Sequence, residues 1–476
     1  MKNKKKILII GAGEAGTSVY KEIKNDPGLN FSVIGFIDDD PKKFGKNING
    51  VKVIGTKKDL IKIIQKNQIR EVIIAIPSAQ GDRVAEYVKV CSDMRVIFKI
   101  VPRVKEIIEG KAHFESLRKV QVEDLLGRPV VKSDIGGLNK FIQGKKVLIT
   151  GAAGSIGSEL SRQIAAYKPT SLILLDWWEN GIFDLKSELT KYFPKLKIDY
   201  VIASIRDRQK INNIFSLYKP HFVFHAAAYK HVPLMEEFPE EAVKNNIFGT
   251  LNVAESAKKF GVEKFVLVST DKAANPVNVM GATKLITEGI GKMLNSQKTK
   301  LMLNNGTKFI AVRFGNVLDS YGSVIPIFRK QIEEGGPVTV TDRKMTRYFM
   351  TIPEAAQLIL KAASIGCGGE LFVLDMGQPV KILDLAEAMI RLSGLIPGEN
   401  IAIKFIGKRL GEKISEEIFS KKEKLISTKE GKIFISKSSG FDISKLPFFL
   451  LKIEKLANSL DRDGIREEFK KIGVLK

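Results

Sequence analysis

No run of about 18 uninterrupted apolar residues occurs in the 476-residue sequence, so no segment reads as a transmembrane helix. The short apolar start Ile7 to Ile10 runs directly into glycine rather than into a cleavage site, and does not read as a secretory leader. The expectation is a soluble, unsecreted, cytoplasmic protein. Cysteine is scarce: Cys91 and Cys367 stand far apart without metal-ligand spacing, which excludes a disulfide framework and leaves no metal site to propose. Both read as buried small hydrophobes. Dense basic clusters with interleaved aromatics are also missing, so nucleic acid is not an expected partner despite 77 basic against 53 acidic residues. The net charge of +24 comes mostly from lysines scattered along the chain and reads chiefly as a solvated surface, although it would also suit phosphorylated substrates. Only Met1 to Lys6 forms a local run, whose four lysines would be modestly attracted to acidic headgroups at the inner face of the cell membrane.

What is there is a globular composition, 44% hydrophobic and 27% charged, on a chain long enough for roughly two to four domains. Two stretches repeat one design. Ile7-Leu-Ile-Ile-Gly-Ala-Gly-Glu-Ala-Gly16 and Val147-Leu-Ile-Thr-Gly-Ala-Ala-Gly-Ser-Ile-Gly157 are both apolar strands that break into glycine-rich turns. After each, apolar runs alternate with helical stretches, the pattern of parallel βαβ units. In the second module the strands are expected at 147–150, 171–175, 198–202, 222–226 and 264–268, and helices at 155–166 and 207–217. The fold class is therefore α/β, with two tandem Rossmann-like doubly wound parallel sheets. Residues 1–109 form the first domain, 110–143 a connector and 144–476 the second domain, whose smaller C-terminal substrate-capping region lies mainly from about 317 onward.

The loop Gly151-Ala-Ala-Gly154-Ser155-Ile156-Gly157 follows a strand and opens a helix. Its glycines let the backbone turn tightly and approach a pyrophosphate, which the helix N-terminus favours electrostatically. Asp176, nineteen residues beyond Gly157, ends the next strand. A carboxylate there accepts hydrogen bonds from a ribose 2′-hydroxyl and repels a 2′-phosphate, so NAD is expected rather than NADP. The alternative is a strand-to-helix turn with no ligand. At the end of the strand beginning at Phe222, the small residues Ala226 and Ala227 would let a cofactor pass close to the backbone. Lys230 and His231 lie just beyond, where open α/β sheets bind ligands; they would meet substrate phosphate or sugar hydroxyls, unless they are satisfied structural residues.

The segment Val266-Leu-Val-Ser269-Thr270-Asp271-Lys272 through Met280-Gly-Ala-Thr-Lys284 carries the chemistry. In short-chain dehydrogenases a strand ends in Ser or Thr beside the substrate, and the next helix presents Tyr-x-x-x-Lys. This chain keeps Lys284 but has Met280 at the tyrosine position, and a thioether accepts no catalytic proton. Thr270, Asp271 and Lys272 instead supply a hydroxyl, an acid and an amine at the strand's end. On a surface loop the Asp-Lys pair would be a solvated ion pair worth little; at the cofactor's edge it reads as acid–base machinery.

With His225-Ala-Ala-Ala-Tyr-Lys-His-Val-Pro-Leu-Met-Glu236, Val312-Arg-Phe-Gly-Asn-Val317, Thr346-Arg-Tyr-Phe-Met350 and Gly407-Lys-Arg-Leu-Gly-Glu-Lys413, the sequence closely resembles the bacterial UDP-N-acetylglucosamine 4,6-dehydratases, capsular polysaccharide biosynthesis proteins of the extended short-chain dehydrogenase family. The resemblance covers almost the whole chain. It implies a homo-oligomeric hydro-lyase with tightly bound, recycled NAD, acting on a UDP-sugar to give a UDP-linked 4-keto-6-deoxy sugar for polysaccharide or glycan synthesis. Carried over residue by residue, Asp271 would protonate the departing carbon 6 hydroxyl and Lys272 would remove the carbon 5 proton. Thr270 would orient the carbon 4 hydroxyl and Lys284 would hold the nicotinamide ribose. Asn246, Asn316, Val324, Arg409 and Glu412 match positions near the cofactor face, diphosphate and uridine. The methionine marks the branch with a preceding nucleotide-type domain, expected to retain configuration at carbon 5. Relatives in that branch usually begin with transmembrane helices, whereas this sequence opens at Met1-Lys2, which leaves a native anchor open.

Residues 1–108 also look like the sugar-nucleotide-binding domain of some bacterial sugar acyltransferases, in Gly11 to Gly16 and Gly35-Phe-Ile-Asp38-Asp-Asp40. Ligand binding there and a purely structural role both stand. Two other functional readings compete: a nucleotide-sugar 4-epimerase, which needs no acid for carbon 6, and a non-catalytic nucleotide-sugar-binding scaffold.

Overall fold

The computed structural model describes residues 4–79, 81–101, 120–125, 135–296, 306–420, 423–437 and 441–475. The first three residues of the lysine run, and all of the expected connector except 120–125 and 135–143, lie outside them. Two compact units emerge. One comprises Met1–Val130, Val324–Arg343 and Val380–Ile406, the other Val131–Ser323, Lys344–Pro379 and Gly407–Lys476. None of the described helices is long and apolar enough to cross a membrane.

In the first unit, β1 (Lys5–Ile10) lies near the middle of the sheet because its aliphatic residues Ile7 to Ile10 are buried on both faces. With α1 (Glu14–Asn25), β2 (Phe31–Ile37), β3 (Asn47–Ile48), β4 (Val51–Gly55), α2 (Leu60–Asn67), β5 (Glu71–Ile74), α3 (Gly81–Asp93) and β6 (Ile97–Ile100) it builds a six-stranded sheet of order β3-β4-β2-β1-β5-β6. Every pairing is parallel except β3 with β4. The helix Ile382–Leu392 belongs here too. It buries Ile382, Leu385, Ala386, Met389 and Ile390 and packs against α3, and Arg391 pairs with Asp93. Val338–Val340 pairs with Ile403–Phe405 in the same unit. The capping region expected from about residue 317 is thus not one block with the second module. The apolar faces of these segments are covered by α3 and by one another.

The second unit contains β7 (Lys146–Thr150), β8 (Ser171–Asp176), β9 (Ile198–Ile202), β10 (Phe222–His225), β11 (Lys264–Val268), β12 (Lys308–Arg313), β13 (Leu371–Leu374), β14 (Leu425–Ser427) and β15 (Ile433–Ser436). Their order is β14-β15-β13-β12-β11-β10-β7-β8-β9, parallel from β9 through β13 and antiparallel at the last two pairings. Near-continuous aliphatic strands suit a sheet covered on both faces, and a large apolar cluster lies on each side. The strand order reverses at β7, between β8 and β10, which opens a crevice at the carboxyl ends of β7 and β10. Two helices frame it: α4 (Ser155–Ala166) after β7 and α5 (Val279–Ser296) after β11.

Two expectations are corrected. The end of the connector is a helix, Ile135–Ile142, whose Leu138 and Ile142 are buried and whose Phe141 stacks on Phe222 at 4.5 Å. Its apolar residues were too few to show a period. Cys91 is buried and its thiol is pushed up to about 12 by that burial, but Cys367 is exposed.

Candidate active site

The turn after β7 is a cradle that a side chain would fill. Gly151 has φ +68°, and a Cβ on it would lie 2.6 Å from the Ala227 nitrogen and 2.7 Å from the Ala226 carbonyl carbon. A Cβ on Gly157 would overlap the Gly151 carbonyl oxygen. Gly154 caps α4, Ser155 and Ile156 begin it, and its first turn carries N–H groups that no helix can pair internally. The structure therefore brings Gly151, Gly154, Ser155, Ile156, Gly157, Ala226 and Ala227 to one crevice, shaped for backbone approach to a phosphorylated ligand. Ser155 Oγ also accepts the Tyr321 N–H at 3.0 Å.

Asp176 does more than wait for a ribose. One carboxylate oxygen accepts the Ala153 N–H at 3.0 Å and the other the Trp178 N–H at 3.1 Å, which ties the strand end to the glycine loop. Burial pushes its pKa above the usual carboxylate range against these bonds. Each oxygen keeps a lone pair for a ligand hydroxyl. The first unit repeats the device with Asp38, which accepts the Ala12 and Asp40 N–H groups at 2.8 and 3.0 Å and also pairs with Lys43 at 2.9 Å.

Beyond β11, Thr270 caps a short turn and its hydroxyl donates to Asp271 Oδ1 at 2.9 Å. Lys272 Nζ donates to the same oxygen at 3.0 Å and to Asn316 Oδ1 at 3.0 Å. The Asp271 side chain is fully buried, and among the described residues its Oδ2 has no partner. An ion pair removed from water is costly unless its remaining lone pairs are met, so Oδ2 is the position at which a ligand hydroxyl is most stabilising. Gly315 keeps that position open: a Cβ there would lie 3.2 Å from Oδ2. Gly281, at the start of α5, lies directly against the Lys272 carbonyl oxygen and lets the helix close on the turn.

Lys284 projects from α5 and donates to the Val268 carbonyl oxygen at 2.7 Å. Burial lowers its pKa to about 8, opposed by the Glu288 carboxylate. Met280 is only 3% exposed and belongs to the apolar cluster on its face of the sheet. His225, at the end of β10, is bridged by Thr150 Oγ1 at 2.6 Å and Thr250 Oγ1 at 2.9 Å, and burial, with the nearby Lys284 charge, lowers its pKa to about 3.

Lys230 and His231 also face this region. Lys230 Nζ lies 3.4 Å from Ser320 Oγ; its pKa is lowered by burial and by the charge of Lys272, and that of His231 by burial and by Lys230. Asn246 holds the intervening loop through the Tyr229 N–H at 2.8 Å and carbonyl oxygen at 3.0 Å, an architectural task. Arg409 and Glu412 bond to each other on a loop, Arg409 N–H to Glu412 Oε2 at 3.2 Å, rather than to any residue of the cluster. Val324 starts a helix of the first unit.

Three features were missed from the sequence. Ser269 Oγ donates to Glu288 Oε1 at 2.6 Å, and the fully buried Arg313 joins Glu288 at 2.6 Å to Glu423 at 3.0 Å. Glu416 stands 4.0 Å from Lys272 Nζ. Asn278 accepts the Gly281 N–H and donates to the Gly411 carbonyl oxygen at 2.9 Å. One signal was available: Glu288 lies four residues after Lys284, an acid on the same helix face.

Residues 147–438 match the family described as polysaccharide biosynthesis protein, and residues 1–102 match one described as CoA-binding domain. The capsular polysaccharide biosynthesis protein CapD of Staphylococcus aureus is 47% identical over 422 residues, 88% of this chain and 69% of the relative. An inverting UDP-N-acetylglucosamine 4,6-dehydratase of Campylobacter jejuni is 35% identical over 282 residues, 59% of this chain and 79% of its own length. Among solved structures, Pen from Bacillus thuringiensis superposes with a TM-score of 0.57 at 37% identity, covering 63% of this chain and 89% of that one.

Proposed function

The chain belongs to the polysaccharide biosynthesis protein family, and from that premise we propose that it is a UDP-N-acetylglucosamine 4,6-dehydratase that retains configuration at carbon 5. The observation that carries this reading is the ion pair of the fully buried Asp271 with Lys272 at the end of β11, with Asp271 Oδ2 unpartnered among the described residues and Met280 packed into the core where a catalytic tyrosine would stand. A 4-epimerase needs neither an acid for a carbon 6 hydroxyl nor a base at carbon 5. Dehydration needs both.

The cradle at Gly151, the Asp176 carboxylate and Lys284 fit NAD: Gly151 and Gly157 would face the pyrophosphate, Asp176 the adenosine ribose and Lys284 the nicotinamide ribose. Bound there, NAD supplies reversible oxidation, taking hydride from carbon 4 and returning it at carbon 6. The remaining work falls to the chain's own groups. Thr270 orients the carbon 4 hydroxyl, whose proton leaves to solvent as carbon 4 is oxidised; at the end of the cycle Lys272 returns its proton to carbon 5 and the pair regains one from solvent. Moving one proton along the 3.0 Å contact from Lys272 to Asp271 converts the ion pair into a carboxylic acid and a neutral amine, the two forms that elimination requires. The amine then removes the carbon 5 proton, and the acid protonates the departing carbon 6 hydroxyl. Lys230 and His231 would meet the diphosphate.

The test is incubation with UDP-N-acetylglucosamine and NAD, followed by NMR of the sugar. A 4-keto-6-deoxy product with unchanged configuration at carbon 5 is expected. A 4-epimer alone selects an epimerase, and binding without turnover selects a scaffold. Lys272→Ala should reduce turnover by at least about 100-fold; full turnover in that variant refutes the assigned base.

A further inference from the structure

The base in this reading has a neighbour that no motif announced. Glu416 lies on the loop between Gly411 and Ser420, with its side chain only 3% exposed. Its Oε1 is 4.0 Å from Lys272 Nζ and 3.9 Å from Arg347 Nη2, and its Oε2 is buried with no partner among the described residues. Arg347 is itself fixed, donating from Nη1 to the carbonyl oxygens of Thr346 at 2.7 Å and Ile414 at 3.1 Å. A carboxylate buried this deeply is costly unless it serves a charge. Arg347 meets part of that need, and among the described residues the other cation paired with it is the proposed base.

Lys272 Nζ has three donors when charged, and three acceptors surround it: Asp271 Oδ1 and Asn316 Oδ1 at 3.0 Å, and Glu416 Oε1 farther out. Asp271 is the acceptor consumed by the reaction, because it must carry a proton to the leaving hydroxyl. We infer that Glu416 is a positioning residue for Lys272: it is the fixed counter-charge that stabilises positive charge on Nζ while the amine takes the carbon 5 proton. The inference rests on the dehydratase reading. In that step the carbon 5–hydrogen bond breaks, its electron pair forms the carbon 5–carbon 6 double bond, and the carbon 6–oxygen bond breaks as Asp271 supplies the proton that completes water. The proton ends on Lys272, and a carboxylate that is already in place and already dry favours the ammonium without reorganising. Because the partners of Glu416 among the described residues are Lys272 and Arg347 rather than Thr270 or Lys284, it acts on this step and not on oxidation at carbon 4, where Thr270 and Lys284 work.

Wild-type, Glu416→Gln and Glu416→Asp proteins are compared with NAD and UDP-N-acetylglucosamine in deuterium oxide. Near-ultraviolet absorbance reads oxidation at carbon 4, NMR reads deuterium at carbon 5, and calorimetry with UDP reads binding. Glu416→Gln should keep carbon 4 oxidation and UDP affinity within about 3-fold while slowing deuterium entry at carbon 5 by at least about 10-fold, with partial recovery in Glu416→Asp. Wild-type exchange in Glu416→Gln overturns the inference, as does equal loss of oxidation, exchange and UDP binding without rescue by aspartate, which marks a structural role. If the wild-type protein itself places no deuterium at carbon 5, the dehydratase reading falls first and the inference with it.

Discussion

Replacing Arg313 by methionine would take from two buried carboxylates the guanidinium that joins them, leaving Lys292 as a cation near both. Arg313 is fully buried on β12, its guanidinium contacts Glu288 at 2.6 and 3.1 Å and Glu423 at 3.0 and 3.2 Å, and both acids are buried. Removing one member of such a network typically costs about 3–5 kcal/mol, since the loss includes the desolvation of the groups left unpaired. For a unit of this size each kcal/mol moves the midpoint by roughly 2 °C, so Arg313→Met should lower the melting transition of the second unit by about 6–10 °C. Calorimetry is the suitable assay, because it can separate transitions of the two units. The control is the neutral triple Glu288→Gln, Arg313→Met, Glu423→Gln, which keeps the acceptor for Ser269 and removes all three charges. It should regain most of the loss, because the penalty lies in unpaired charge rather than in lost volume. An Arg313→Met protein that melts with the wild type, or a triple less stable than the single, refutes the reasoning.

Gly151→Ala should weaken NAD binding by at least about 10-fold, since the new methyl meets the Ala226–Ala227 backbone at a left-handed φ. Trp177 and Trp178 follow Asp176 and are the only tryptophans, so quenching of their fluorescence reads the titration; unchanged affinity would contradict the cradle. Met280→Leu conserves volume in a packed core and should cost less than about 1.5 kcal/mol while keeping turnover within about 3-fold; a large loss of turnover at wild-type stability would give the thioether a role denied here. His225 has a folded pKa of about 3 against 6.5 in the unfolded chain, so unfolding takes up a proton between those values. Its contribution is intact above about pH 6.5 and is lost as pH falls toward 3, by about 2 kcal/mol at pH 5 relative to a His225→Gln variant. Urea midpoints at pH 7 and pH 5 that move in parallel for the two proteins would rule this out.

The glycine loop and its acid were legible because they are local. A strand of Val147 to Thr150, glycines at fixed offsets and an acid at the end of the next strand are consecutive in the chain, and the structure places β7, α4 and β8 at the expected residues. The capping region was not legible for the converse reason. Ile382, Leu385, Met389 and Ile390 announce a helix with one apolar face, but periodicity does not name the surface that covers it, and α3 lies about 300 residues away in sequence. The same limit hid Glu416 and Glu423, which reach Lys272 and Arg313 across more than a hundred residues.

Met280 was legible as a loss, and the dehydratase proposal puts the compensation at Asp271 and Lys272. A tyrosine in the usual arrangement shares its helix with the lysine that tunes it. In the proposed reading the acid and base stand on the turn before the helix, so their geometry depends on how tightly that turn and helix close. Gly281 against the Lys272 carbonyl oxygen sets that distance, and Asn278, fixed to Gly411, ties the helix start to the loop that carries Glu416. On that reading the loop after Gly411 joins the acid–base apparatus, whereas in the tyrosine arrangement it would need only to cover the substrate.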